Sequence, residues 1–252
     1  MPRSFDAVND DLQVLETIAS GFPISCHIWA FWDANGSANS YNLTGFSKGT
    51  AGGQKRFILI INDNVGDALV FQTYGTAGIG ASLTTVPAGQ WFSAGGVSAN
   101  SSSRFAVLDG VMSAESTTTQ DAFSGGGTPD TVTAGTTIIN TNHIQRLNGD
   151  LAWMTWWAAA LVQDEWTALA NGVHPARIRS ESILKCVPMW GNHDPEIDIS
   201  GGASMTVNSA TKHSADGPPI SPYHIPFVSV PFLPAAVVGP PLGSLALTGV
   251  GI

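Results

Sequence analysis

Between residues 24 and 30 the chain alternates. Ile24, Cys26, Ile28 and Ala30 share one face at period two, and His27, Trp29 and Phe31 share the other. Both faces are largely apolar, which predicts a central strand of a sheet rather than an edge. Further β-rich runs follow: "YNLTGFSKG", "KRFILIINDN" and "DALVFQTYG". The Asn62-Asp63-Asn64 cluster between the last two predicts a hairpin. In "WFSAGGVSANSSSRFAVLDG" two strands flank a Ser/Asn-rich turn at Ala99 to Ser103, Asp109-Gly110 opens another turn, and "VMSAEST" starts the next strand. At the N-terminal end, Asn9-Asp10 marks a turn before a short apolar alternation. Asp33 to Asn39 and Asp121 to Gly135 read as loops, and "TTIINTN" as a strand. Strands recurring at roughly 8–12 residues are the signal of a sandwich or barrel.

One stretch breaks the pattern. Leu151, Trp153 and Thr155 alternate with Ala152, Met154 and Trp156, and then the period changes. Trp166, Leu169 and Ala170 fall at i, i+3 and i+4, an apolar helix stripe. Asp164 and Glu165 suit the positive end of the helix dipole. Asn171-Gly172 closes the helix and Pro175 prevents its continuation. Trp166 is expected to pin this lone helix onto a sheet edge, with the other tryptophans as core and docking groups. The alternative for the Trp156-Trp157 pair is a stacking platform for sugar rings.

Composition agrees with strands and turns. Of 252 residues only 12% are charged, while glycine numbers 28 and proline 15. The net charge of -9 disfavours nucleic acid, whose phosphates demand a basic surface. No run of about 18 apolar residues suggests a membrane span, and "MPRSFDAVND" lacks the apolar core of a secretion signal. Two cysteines, Cys26 and Cys186, fit neither a zinc site nor a disulfide framework. They lie in the apolar runs "ISCHIWAFW" and "ILKCVPMW" and read as buried thiols, with a cross-strand disulfide as the alternative.

From about Ser214 the composition shifts. Eight prolines from Pro218 to Pro241 oppose helix and central strand. Yet Phe227, Val228, Val230, Phe232, Leu233, Val237 and Val238 are apolar, unlike a disordered tail. The chain therefore divides into a β-sandwich, 1–213, and an extended Pro/Gly-rich arm, 214–252. The arm needs a surface to cover it, and a neighbouring subunit is the expected one.

The ordered pieces "SFDAVNDDLQV", "FPISCHIWAFW", "GQWFSAGGV", "SRFAVLDGV", "LNGDLAWMTWWAAALVQDEWTALANGVHP" and "RIRSESILKCVPMWGNHDPEIDISGG" cover about residues 3–213. Together they resemble concanavalin A-like, laminin-G-like jelly-roll domains of the form found in bacteriophage and bacterial proteins. The resemblance implies an antiparallel two-sheet, all-β sandwich whose closing strands return beside the N-terminal strand. With the arm, it implies a non-enzymatic phage virion structural protein: a capsid decoration or cement protein, or a head or tail fibre component. Such a protein would be made in the host cytoplasm and assemble with copies of itself and other virion proteins. A carbohydrate-binding adhesin contacting surface glycans is the alternative, and a glycoside hydrolase the second.

The site chemistry in the sequence is sparse. Glu196 and Asp198 in "EIDIS" approach the alternating carboxylates of sandwich glucanases, but Ser200 stands where a third acid belongs. The bland reading is a turn with solvated acids. No Gly-x-Ser-x-Gly string, phosphate loop or dinucleotide fingerprint is present. No cofactor is expected from motifs. The resemblance brings in calcium at the sandwich rim, for which Asp6, Asn9, Asp10 and Asp194, beside His193, are the oxygen donors to consider. Asx-turn chemistry is the default for Asn9-Asp10. His27, His143, His174, His213 and His224 are read as structural.

Overall fold

A computed structural model describes residues 2–33, 40–49, 55–74, 78–83, 85–123, 127–139, 141–191, 193–212 and 217–220. The chain divides into two units, Met1–Ser221 and Pro222–Ile252. The second lies outside the described residues, and with it the arm residues Phe227, Val228, Val230, Phe232, Leu233, Val237 and Val238.

In chain order the strands are β1 (Arg3–Asp6), β2 (Asp11–Leu15), β3 (Ile24–Trp32), β4 (Tyr41–Ser47), β5 (Arg56–Asn62), β6 (Ala68–Tyr74), β7 (Gly78–Leu83), β8 (Trp91–Asn100) and β9 (Ser103–Leu108). They continue with β10 (Val111–Met112), β11 (Thr131–Ala134), β12 (Thr137–Ile139), β13 (Asn142–Ile144), β14 (Asn148–Trp157), β15 (Ile183–Val187), β16 (Thr206–Asn208) and β17 (Thr211–Lys212). Helix α1 (Gln163–Ala170) stands between β14 and β15. One sheet runs β10-β9-β8-β3-β14-β1-β17, with β15 also on β14. The other runs β16-β2-β11-β4-β5-β6-β7, and β12-β13 form a separate hairpin. The pairing is antiparallel, and the fold is a jelly-roll sandwich.

The period-two reading of β3 holds. It lies between β8 and β14, and Ile24, Cys26, Ile28 and Ala30 face the inter-sheet core with Phe46, Phe57 and Leu59 of the other sheet. Each such buried side chain contributes about 1.5–3 kcal/mol of transfer free energy. The hairpin at Asn62-Asp63-Asn64 is capped by the Asn62 side chain, which accepts the Asn64 N–H. The closing strand β17 returns beside β1.

Four expectations are corrected. Thr131–Ala134 is not loop but strand, wedged between β2 and β4. The Gly- and Pro-rich residues ahead of it obscure a run of β-branched side chains, which sheets favour. The run "ILKCVPMW" is strand only to Val187, because Pro188 cannot donate to a ladder. Trp156 and Trp157 are fully buried, on opposite faces of β14, so neither can stack on a sugar. Their indole N–H groups donate inward, to Thr44 Oγ1 and the Ile178 carbonyl. Finally, α1 packs on a face of the first sheet rather than on its edge.

That last packing depends on one glycine. A Cβ on Gly95 of β8 would sit 2.4 Å from the ring of Trp166. Trp166 joins Trp157, Val97, Val107 and Leu169 in a second apolar cluster outside the main core. Gly95→Ala should therefore lower stability by about 1–3 kcal/mol through overpacking, read as a drop in thermal midpoint with a shifted tryptophan emission. An unchanged midpoint would mean the helix is not seated on this strand.

The cysteines follow from register. Thr155 pairs with both His27 and Cys186, whereas Trp156 pairs with Cys26, so the two thiols point to opposite faces. Both are free and buried. Burial pushes both thiols up, Cys186 to about 12, which keeps them protonated and inert.

Candidate functional site

Two strands, β1 and β15, share one side of β14. Arg3 of β1 registers with Leu151, and Val187 of β15 with Met154. Trp153 emerges where they meet. Against β3, two residues of β14, Trp153 and Met154, oppose Ile28 alone, which is a β-bulge. Trp153 has φ +56°, a left-handed conformation that costs a non-glycine residue about 1–3 kcal/mol. Its N–H is retained by the Pro188 carbonyl at 3.1 Å.

The bulge places Trp153 against two other rings, and a third lies beyond them. Its ring lies edge-on to His174 at 4.3 Å and to Trp190 at 6.1 Å, and His193 lies 6.3 Å beyond Trp190. Trp190 is 44% exposed, the most exposed aromatic of the described core-facing strands and loops. No hydrogen bond among the described residues takes up the indole N–H of Trp153 or Trp190.

The loop that carries Trp190 is clamped from below. Glu196, 1% exposed, accepts the Arg3 Nε–H at 2.8 Å and the Gly191 N–H at 2.9 Å through one oxygen. Arg3 also donates to the Ala210 carbonyl at 2.9 Å and to the His193 carbonyl. Gly191 takes φ +70°, which its missing Cβ permits. Buried charge-assisted bonds thus hold both ends of the turn around an exposed tryptophan.

His174 precedes a short 3-10 turn, and its Nδ1 accepts the Ala176 N–H at 3.1 Å. Burial, then the Arg177 charge, lowers its pKa below the usual histidine range. The neutral ring must therefore carry its proton on Nε2, a directed donor beside Trp153.

The sequence-derived site residues fall out differently. Glu196 and Asp198 are neither catalytic pair nor solvated turn. Asp198 is buried and accepts Lys185 Nζ at 2.9 Å, the Cys186 N–H at 3.0 Å and the Ser200 hydroxyl at 2.6 Å. A general acid needs a reachable proton and a nucleophile a reachable lone pair; here both carboxylates are occupied by structural partners. The calcium candidates do not assemble. Asp6 accepts the Val8 N–H and Asp10 accepts the Asp6 N–H, an Asx-type turn. Asn9 is exposed in the same turn and Asp194 belongs to the Trp190 loop. Among the described residues no three His, Cys, Asp or Glu side chains gather where a metal could bind, so the residues present do not fit a calcium site. The platform itself was missed. An isolated Trp among Pro, Gly and Asn in "VPMWGNHDP", outside any periodic run, is the signal that marks it.

No family model and no curated protein sequence matches the chain. Its fold is similar to that of a putative carbohydrate-binding protein from Bacteroides ovatus, with TM-score 0.63 and 16% identity over 87% of this chain and 61% of that one. The chain thus spans about three fifths of that protein. It is also similar to the CBM40 domain of the Ruminococcus gnavus IT-sialidase, with TM-score 0.54 and 14% identity over 68% of this chain and 98% of the domain. A heptameric SAP-like pentraxin from Limulus polyphemus gives TM-score 0.54 and 14% identity over 84% and 95%. These likenesses define a jelly-roll sandwich of the kind found in carbohydrate-binding modules and pentraxins.

Proposed function

We propose that the protein is a non-catalytic carbohydrate-binding module, with Trp190, Trp153 and His174 as its sugar-contacting surface. The observation that carries this reading is an exposed tryptophan held edge-on to a second, strained one by a loop anchored on a buried Arg3–Glu196 pair. A face of Trp190 supplies a flat apolar surface for the C–H face of a sugar ring. The indole N–H groups and His174 Nε2 supply donors to its hydroxyls. Pre-organisation keeps the ordering cost of binding low, and the strain at Trp153 is the kind that persists where surroundings enforce it for a task. Similar folds in carbohydrate-binding proteins support the same reading.

A virion role, with residues 214–252 docking on a neighbouring copy, rests on the family resemblance and the composition of the arm. None of the similar structures named above is a virion component, and the glycan-binding reading takes precedence.

Trp190→Ala should weaken binding at least tenfold, about 1.4 kcal/mol, in calorimetry against oligosaccharides such as arabinotriose, xylotetraose and sialyllactose. Trp190→Phe should retain part of it, because a smaller π-face remains. Unchanged affinity in Trp190→Ala, or no binding across a broad glycan array by the intact chain, would overturn the assignment.

A further inference from the structure

We propose a second, separate ligand site on the other sheet, one that takes a neutral hydroxyl-bearing chain such as an oligosaccharide segment. The ligand class rests on the carbohydrate-binding reading; the location does not. A groove of about 420 Å³ lies between the β12–β13 hairpin and strands β2, β11 and β16, lined by Gln13, Leu15, Thr131, Ile138, His143 and Thr206 among others. That volume falls within the range of small-molecule sites, about 300–1,000 Å³.

The groove is built around a buried carboxylate. Asp11, whose side chain is 2% exposed, lies 2.5 Å from His143 Nδ1 through one oxygen and accepts Asn208 Nδ2 at 2.5 Å through the other. One aspartate thereby fixes the hairpin and the edge strand β16 to β2. It also fixes the imidazole. With Nδ1 held against the carboxylate, Nε2 is the ring's remaining polar atom. No hydrogen bond among the described residues takes up that nitrogen, nor the side-chain amide of Gln13. An oriented imidazole, an amide and threonine hydroxyls thus line one groove with an aliphatic patch, Leu15, that is 69% exposed. Polar edges beside an aliphatic wall match a sugar, which presents hydroxyls around its rim and C–H groups on its faces. The lining contains no lysine or arginine, and the Asp11 charge behind His143 repels anions. A neutral ligand is therefore the one that fits. Because the groove belongs to the second sheet and the Trp190 platform to the first, the two sites bind independently.

The test is an amide-resolved NMR titration of the ¹⁵N-labelled full chain with xylotetraose, arabinotriose and chitotetraose, repeated on variants. The groove is expected to report through amides of β2, β11 and the β12–β13 hairpin in wild type and equally in Trp190→Ala. Gln13→Ala should weaken those shifts at least fivefold while leaving the Trp190 loop unchanged. His143→Ala should do the same. Gln13 has no structural partner to lose, so its variant stays informative where His143→Ala fails to fold. Shifts confined to the Trp190 loop and lost in Trp190→Ala would overturn the groove while sustaining the carbohydrate-binding reading. Groove shifts with a silent Trp190 loop would sustain the groove and overturn the platform. No shift at either place with any probe would overturn both.

Discussion

Lys185→Met should destabilise the fold by about 3–5 kcal/mol, the loss that follows when one partner of a buried ionic group is removed. Lys185 is fully buried on β15. Its ammonium donates to Asp198 at 2.9 Å and to the Ala203 carbonyl at 2.8 Å, and lies 2.7 Å from the Glu16 carboxylate. Methionine has nearly the same length and fills the space, so the variant removes charge and leaves packing almost intact. What remains is the Asp198 carboxylate, fully buried, without its cation. Burial alone would raise the Asp198 pKa. Hydrogen bonds from Ser200, the Cys186 N–H and Lys185 outweigh that and hold it below the usual carboxylate range. A folded pKa depressed below the unfolded value contributes stability above the unfolded pKa and loses it as pH falls through the folded one. The deficit in Lys185→Met should therefore be largest near neutrality and shrink as the pH falls and the uncompensated Asp198 carboxylate takes up a proton. Adding Asp198→Asn should recover part of it, since the neutral amide still serves the local N–H donors. Urea midpoints at pH 7 and pH 4 test this. A loss under about 1 kcal/mol at pH 7 would mean that water or another cation already reaches the pair.

Local signals in the sequence sufficed for the sandwich, and long-range ones did not exist there to be read. The alternation of β3, the Asn62–Asn64 hairpin and the stripe of α1 are encoded within a few residues of themselves, and each is found where periodicity puts it. The free cysteines follow from the same alternation once the register is known. The bonds that build the binding surface join residues far apart. Arg3 meets Glu196 across 193 positions and Asp11 meets Asn208 across 197. No spacing rule connects such pairs, so Glu196 reads as a stray acid and His143 as filler. The tryptophans show the same limit. Four of them, at 153, 156, 157 and 166, look alike in sequence. A single-residue bulge sends Trp153 to the surface cluster, while Trp156 and Trp157 are divided between the inner core and the helix-covered face. A bulge inserts one residue without a compositional mark, so the aromatic chosen for solvent is decided by tertiary geometry. Trp190 closes the apolar run "ILKCVPMW" and so reads as part of it, although Pro188 ends the strand at Val187.

Acid should weaken this protein from within the sheet that carries Trp153. His27 is fully buried on β3, with Nε2 3.0 Å from Ser93 Oγ. Burial lowers its pKa to about 3, and the Trp153 carbonyl opposes this only weakly; no charged side chain enters the balance. The sign is that of a base held neutral: the unfolded chain takes up a proton below about pH 6.5, and the folded chain does not until about pH 3. Stability supplied by the neutral ring is thus complete above pH 6.5 and falls steadily as the pH drops toward 3. The slope approaches about 1.4 kcal/mol per pH unit between pH 5.5 and 4. His174 shifts in the same direction, so the contribution of His27 is the difference between wild type and His27→Gln, which keeps a partner for Ser93. Unfolding free energies should converge for the two proteins as the pH is lowered from 6.5 to 4, by about 3 kcal/mol in total. Parallel pH profiles for the two proteins, or an NMR titration of the His27 ring centred near pH 6.5, would refute the buried neutral imidazole.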